Sequence, residues 1–349
     1  MAAVTKKTKE ITSFLLDHVS SHPRDLVAVA CERFELSRQA INRHVKSLVG
    51  AGLLDATGAT RQRSYKLAVV STHQLTLPIK ELEEHVVWNR EISSRIESVS
   101  HNARDIWHYG FTEMVNNVID HSDGSKLNIS IESTAISTIM WIIDDGVGIF
   151  RKIKSEMGLE DERHAVLELA KGKLTTDPAN HTGEGIFFSS RVFDEYAILS
   201  GEVFFSHHFE EEEDWIMERE LPKIGTAVYM ALRNETLRTR TEVFDKFTSK
   251  DGDFGFTRTV VPVRLLKHGL ETLISRSQAK RLLARFDRFK VVVLDFSGVD
   301  TIGQAFADEI FRVFVSHNPR VKIIPINMRD DVNKMVRRAR NVRTHTAQE

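Results

Sequence analysis

Glu113, Asn117 and His121 recur every four residues within Trp107–His121, a stretch that is apolar at Phe111, Met114, Val115, Val118 and Ile119. The periodicity predicts a helix with one polar side on a body otherwise fit for burial. Downstream, Leu127–Glu132 alternates apolar with polar residues, and Ile139–Ile143 is continuously apolar and ends in Asp144. These read as a strand pair. A carboxylate at the end of a buried strand is costly unless it has partners. Gly146 and Gly148 follow in Asp144-Asp-Gly-Val-Gly148, where the lack of a Cβ lets the backbone pass close to another group. A third stretch, Thr182-Gly183-Glu-Gly185, opens a further helical segment, and backbone N–H groups at such a start can cradle phosphates. Between Arg151 and His181 the chain is polar, with one weak helix expected at 160–170. That length between ordered elements suggests a lid.

In this order and spacing the three stretches resemble the ATP site of the GHKL family, which includes gyrase, MutL, heat-shock chaperones, histidine kinases and anti-sigma kinases. The resemblance implies a two-layer α/β sandwich, the Bergerat fold, over 101–236, and Mg-ATP as the bound species. It implies that Asn117 coordinates Mg²⁺, that Glu113 is the base activating the attacking water, and that His121 approaches the phosphates or the lid. Asp144 would accept from the exocyclic amine of adenine. Thr182, Gly183 and Gly185 would border the phosphates, and Thr226 in Gly225-Thr226-Ala-Val-Tyr-Met-Ala231 would stand near adenine and Asp144. Mg²⁺ prefers oxygen ligands and keeps several waters, so a single Asn carbonyl suits it. Histidine kinases usually have another Gly where this chain has His181, and no dimerisation helix with a phospho-accepting His precedes the site. A sensor histidine kinase is not expected.

Ahead of this segment, apolar spacing predicts helices at 5–20, 25–34 and 38–49, the last capped by Ser37. Short strands are expected at Leu53–Ala56 and Ser64–Ala68. Helix, helix, turn, helix and hairpin over residues 1–70 resemble a winged helix-turn-helix domain. Its recognition helix would be Ser37-Arg-Gln-Ala-Ile-Asn-Arg-His-Val-Lys-Ser-Leu48. Arg38, Gln39, Asn42, Arg43 and Lys46 fall opposite Ile41, Val45 and Leu48, a set suited to base edges and phosphates of double-stranded DNA. Arg61 and Arg63 would sit on the wing. The competing reading is a protein-binding winged helix with a solvated polar face. Residues 71–100 are expected to be a helical connector, with Ile79, Leu82, Val86, Ile92 and Ile96 as the apolar face of a helix at 79–99.

Beyond residue 240, strands at Thr257–Pro262, Val291–Asp295 and Val321–Ile326 alternate with helices at Ser277–Phe286 and Gln304–Val315, which argues for a small α/β domain over 240–340. Val291-Val-Val-Leu-Asp295-Phe-Ser-Gly-Val299 resembles the central strand and turn of STAS domains, the fold of anti-anti-sigma factors. Gln304 or Ala305 stands where those proteins carry a phosphorylatable Ser.

The whole chain therefore reads as multidomain α+β. Eleven Lys and Arg against six Asp and Glu in the first 70 residues suit an anionic partner. Cys31 is the single cysteine, so no intramolecular disulfide can form. With no signal peptide and no apolar run near the ~20 residues needed to cross a bilayer, a cytoplasmic protein with no membrane contact is expected. Three functions stay open: a DNA-binding transcriptional regulator switched by nucleotide, an anti-sigma-like Ser/Thr protein kinase, and a non-catalytic interaction module stabilised by ATP. A protein partner at the STAS-like domain is expected, and a homodimer is a further expectation because GHKL proteins often dimerise.

Overall fold

A computed structural model describes residues 6–174, 183–209, 213–218, 225–248, 255–267 and 272–341, with 213–218 and residue 61 described in backbone only. The first domain is built from α1 (Lys6–His18), α2 (Leu26–Phe34), α3 (Arg38–Gly50), β1 (Leu54–Thr57) and β2 (Ser64–Leu67). Ser37 caps α3 by accepting from the Ala40 amide. The helices and the β1–β2 hairpin close over Ile11, Leu15, Leu26, Ala30, Ile41, Val45, Leu48 and Tyr65.

The next segment departs from the expected connector. Ser71–Pro78 is a strand, β3, paired antiparallel with β4 (Lys126–Ser133). Its period of two turns Leu75 and Leu77 onto the core, and Pro78 is tolerated at the end of an edge strand. The helix expected at 79–99 is confined to 84–96. It comprises α4 (Glu84–Val87), a π turn at Trp88–Ile92 and a 3-10 turn at Ser93–Ile96. Glu81 has a positive φ and Glu83 is extended, so no helix can begin earlier.

After α5 (His101–His121), β4 and β5 (Ser137–Asp144) come α6 (Ile149–Met157), α7 (Glu162–Lys171), α8 (Gly185–Val192), β6 (Glu195–Ser200), β7 (Val203–His208), β8 (Glu213–Glu218) and β9 (Thr226–Arg233). The strands form a seven-stranded antiparallel sheet in the order β3-β4-β5-β9-β6-β7-β8. Met140, Ile142 and Asp144 of β5 are buried, while Ile139, Trp141 and Ile143 on the other face are only half-buried. Helices α5 and α8 pack on the sheet, which makes two layers. The stretch expected to be a lid with one weak helix holds two helices. Gly158 ends α6 in a left-handed conformation, and Asp161 caps α7 through the amides of Arg163 and His164.

The polar stretch at 239–250 contains α9 (Arg240–Asp245), which starts with a reciprocal Thr239–Glu242 cap and carries Phe244 onto Phe188. Three parallel strands follow, β10 (Arg258–Pro262), β11 (Val291–Asp295) and β12 (Lys322–Ile326), in that spatial order. Helix α10 (Arg276–Leu283) crosses from β10 to β11. A helical run made of α11 (Gln304–Asp308), a π segment and α12 (Val315–His317) crosses from β11 to β12. The closing α13 (Asp330–Asn341) has no counterpart among the sequence-based expectations; it buries Val332, Val336 and Ala339.

Candidate functional site

A cavity of about 310 Å³ opens between α5, α6, the start of α8 and the inner face of the sheet. Glu113, Asn117 and His121 of α5 line it together with Asp144 of β5, Thr226 of β9, and Gly183 and Gly185 before α8. The helical rise puts Glu113 about 12 Å from His121, so the three polar positions run along the cavity rather than converging on a point. The apolar part of the wall includes Met114, Ile142, Ile149, Ile153, Ile198 and Val228.

Asp144 is 4% exposed. Its Oδ1 accepts from the amides of Gly146, at 2.8 Å, and Thr226, at 3.2 Å. Burial pushes its carboxyl upward from the ordinary carboxylate range, and those two amides oppose the rise. Both amide hydrogen bonds fall on Oδ1, and the Thr226 side chain also hydrogen-bonds the carboxyl. Asp145 points elsewhere. It accepts from the Ser125 and Lys126 amides and the Ser125 hydroxyl, which hold its carboxyl down at about 2. The Thr226 hydroxyl accepts from the Ile149 amide at 3.0 Å, tying β9 to the start of α6.

The glycines mark close approach. A Cβ on Gly146 would lie 2.0 Å from the Ser122 carbonyl oxygen, and one on Gly185 would lie 1.9 Å from Glu113 Oε2. The Glu113 carboxylate therefore stands against the N-terminus of α8, in a setting whose effect reaches the Tyr109 and Tyr196 hydroxyls. Burial raises both phenols, and the Glu113 charge raises them further. Gly183 has a φ of 69°, and its carbonyl accepts from the Leu174 amide at 3.0 Å. Gly148, with a φ of 89°, precedes α6 and does not line the cavity; its backbone packs on Ser200 and Gly225. Thr182 lies outside the described residues.

Lys152 and Glu156 also line the cavity, and the sequence reading does not include them. Lys152 Nζ donates to the His121 carbonyl at 2.8 Å and pairs with Asp123 at 3.1 Å. Their signal is present in the chain: Ile149, Lys152, Ile153 and Glu156 recur at helical spacing at the start of the expected lid. No three His, Cys, Asp or Glu side chains among the described residues converge as a metal-binding group.

At the other end of the chain, α3 turns Arg38, Gln39, Arg43 and Lys46 to solvent, with Asn42 half-buried beside them. Arg63 is exposed on the hairpin, its guanidinium 5.8 Å from the Tyr65 ring. The side chain of Arg61 lies outside the described residues.

Residues 11–63 match the MarR family, and residues 278–333 match a STAS-like domain of unknown function. No curated protein matches the chain. Both matched segments lie outside the residues that line the cavity. No helix among the described residues is long and apolar enough to cross a membrane. The chain is thus a multidomain α+β protein with a MarR-type winged helix at one end and a STAS-like domain at the other. The first of these suggests a DNA-binding transcriptional regulator, of a kind that usually dimerises.

Proposed function

We propose that the protein is a DNA-binding regulator whose central domain is a GHKL-type Mg-ATP site. The observation that carries this reading is the cavity into which α5, β5, β9 and the start of α8 together bring Glu113, Asn117, Asp144, Thr226, Gly183 and Gly185. In this reading the Asp144 carboxylate takes the adenine amine, and the apolar wall of Ile142, Ile198 and Val228 takes the base faces. Phosphates lie toward the α8 N-terminus, whose amides and dipole favour anions. Asn117 would hold the metal, which when bound neutralises phosphate charge. Mg²⁺ often takes only one or two protein ligands and shares the rest of its coordination with phosphate and water, so a single Asn carbonyl suits it. Glu113 stands at the phosphate end, placed to take a proton from an attacking water.

The test is binding to the full chain. MgATP is expected to raise the melting temperature, and Asn117→Ala is expected to abolish the part of the shift that depends on Mg²⁺. Glu113→Gln is expected to keep the shift and lose phosphate release. An unchanged melting temperature with MgATP at millimolar concentration would remove the nucleotide reading.

For the first domain, exposed Arg38, Gln39, Arg43 and Lys46 on one helix face match what a major groove presents. With a duplex selected from a random-sequence pool, Arg43→Ala is expected to weaken binding by about 1–3 kcal/mol if the residue reads a base. Affinity should fall as salt rises in both proteins. Binding that ignores salt, or an Arg43→Ala protein that binds as the parent does, counts against this face.

A further inference from the structure

Two domains adjoin the central one, and among the described residues only one of them touches the cavity wall. The winged helix meets the sheet at the β4–β5 turn, where Ala135 and Ile136 pack on its core and Arg233 pairs with Asp17. That turn lies beyond Ser137, at the opposite end of the eight-residue strand β5 from Asp144, which puts it about 24 Å away. The STAS-like domain instead grips the cavity wall itself. Leu169 on α7, Leu174 just past it and Phe187 on α8 all line the cavity. The residues between and behind them are fastened to the C-terminal domain.

The fastening is polar and buried. Lys171 is fully buried, and its Nζ donates to Glu168 Oε1 at 2.6 Å and to the carbonyls of Arg281 and Ala284 at 3.1 Å each. Arg285 completes the group by donating to Glu168 Oε2 at 2.8 Å and to the Gly172 carbonyl at 2.6 Å. Thr259 of β10 donates to the Lys171 carbonyl at 2.8 Å. Lys173 and Arg288 exchange bonds to each other's carbonyls, at 3.1 and 3.2 Å. Phe187 lies 4.6 Å, ring to ring, from Phe256, and a Cβ on Gly172 would run into Phe256 at 2.5 Å. A segment with one side on the cavity and the other bonded into a neighbouring domain cannot shift on one side alone, because packed interfaces are not continuously deformable.

Resting on the nucleotide reading above, we infer that the STAS-like domain is the readout of the site. Occupancy of the cavity is passed through Glu168–Leu174 and Phe187 to α10 and the turn that ends at Arg288, and not to the winged helix directly. Linkage makes the coupling reciprocal, so a partner that engages the STAS-like domain at this end changes nucleotide affinity by the same factor.

Amide hydrogen exchange on the full chain, with and without MgATP, tests the route. Slower exchange is expected in α5 around Glu113–His121 and, by about fivefold or more, in 276–288, the low end of ordinary coupling. The β4–β5 turn serves as the control for uniform stabilisation and is expected to change little. Arg285→Ala should keep the α5 effect and lose that at 276–288. Arg288→Ala, which removes a more exposed bond, should lose part of it and covers the case where the first variant fails to fold. Protection of α5 with 276–288 unchanged overturns the coupling and leaves the nucleotide reading standing. Equal protection everywhere, the β4–β5 turn included, also overturns it. Absence of protection in α5 overturns both.

Discussion

Glu168→Ala is expected to destabilise the transition that melts the central and C-terminal domains by about 3–5 kcal/mol, the ordinary cost of removing one partner from a buried ion pair. Glu168 is 4% exposed and supplies one carboxylate oxygen to Lys171 and the other to Arg285. Without it two cations remain in the same buried interface. Each still has carbonyl acceptors, so the hydrogen bonds are partly met but the charge is not. The loss corresponds to roughly 6–20 °C in melting temperature for domains of this size. A drop below about 1 kcal/mol by urea titration would mean that the interface is more hydrated than its burial indicates.

The cost should also depend on pH. Burial lowers the Lys171 ammonium from lysine's ordinary 10.5 to about 8, against the pull of Glu168. A base whose folded pKa lies below its unfolded value holds fewer protons when folded, so its contribution to stability rises with pH between the two values. Removing Glu168 takes away the largest effect that keeps Lys171 charged and shifts its titration lower. The deficit of Glu168→Ala relative to the parent is therefore expected to shrink from pH 7 to pH 9, as the stranded lysine becomes neutral.

None of this cluster was legible in the chain. Glu168 and Lys171 look like an ordinary i,i+3 pair on a solvated helix, and their decisive partner, Arg285, lies 117 residues beyond Glu168. The polar side of α5 was legible for the opposite reason: helical period alone lines up Glu113, Asn117 and His121, and their apolar neighbours show that the helix is buried. The α3 face followed from the same arithmetic. Sheet order was hidden because β9 enters between β5 and β6, a pairing that no local pattern encodes. The hairpin of β6 and β7 could have been found, since Gly201, with a φ of 59°, turns between two apolar runs. The missed strand β3 shows how short alternating edges are lost beside a stronger helical pattern.

Asp144→Asn is expected to separate folding from binding at the cavity. The amide oxygen of the new side chain can replace Oδ1 as acceptor for the Gly146 and Thr226 amides, so the local fold keeps both bonds. Burial raises the native carboxyl above its unfolded value. An acid shifted this way contributes fully to folding below its unfolded pKa and loses that contribution as pH rises through its folded pKa, whereas the amide is neutral throughout. The variant should therefore melt at or above the parent's temperature at pH 7, with the gap closing as pH falls into the carboxylate range. Nucleotide affinity should fall by about 10–100-fold, because a charged acceptor worth about 1.5–3 kcal/mol is exchanged for an NH₂ donor that faces the adenine amine. Melting curves and titration with a fluorescent ATP analogue read the two effects. An Asp144→Asn protein that binds the analogue like the parent removes Asp144 from the base site. One that melts several degrees lower shows that the carboxylate serves the fold instead, through the turn at Gly146 and the first residue of β9.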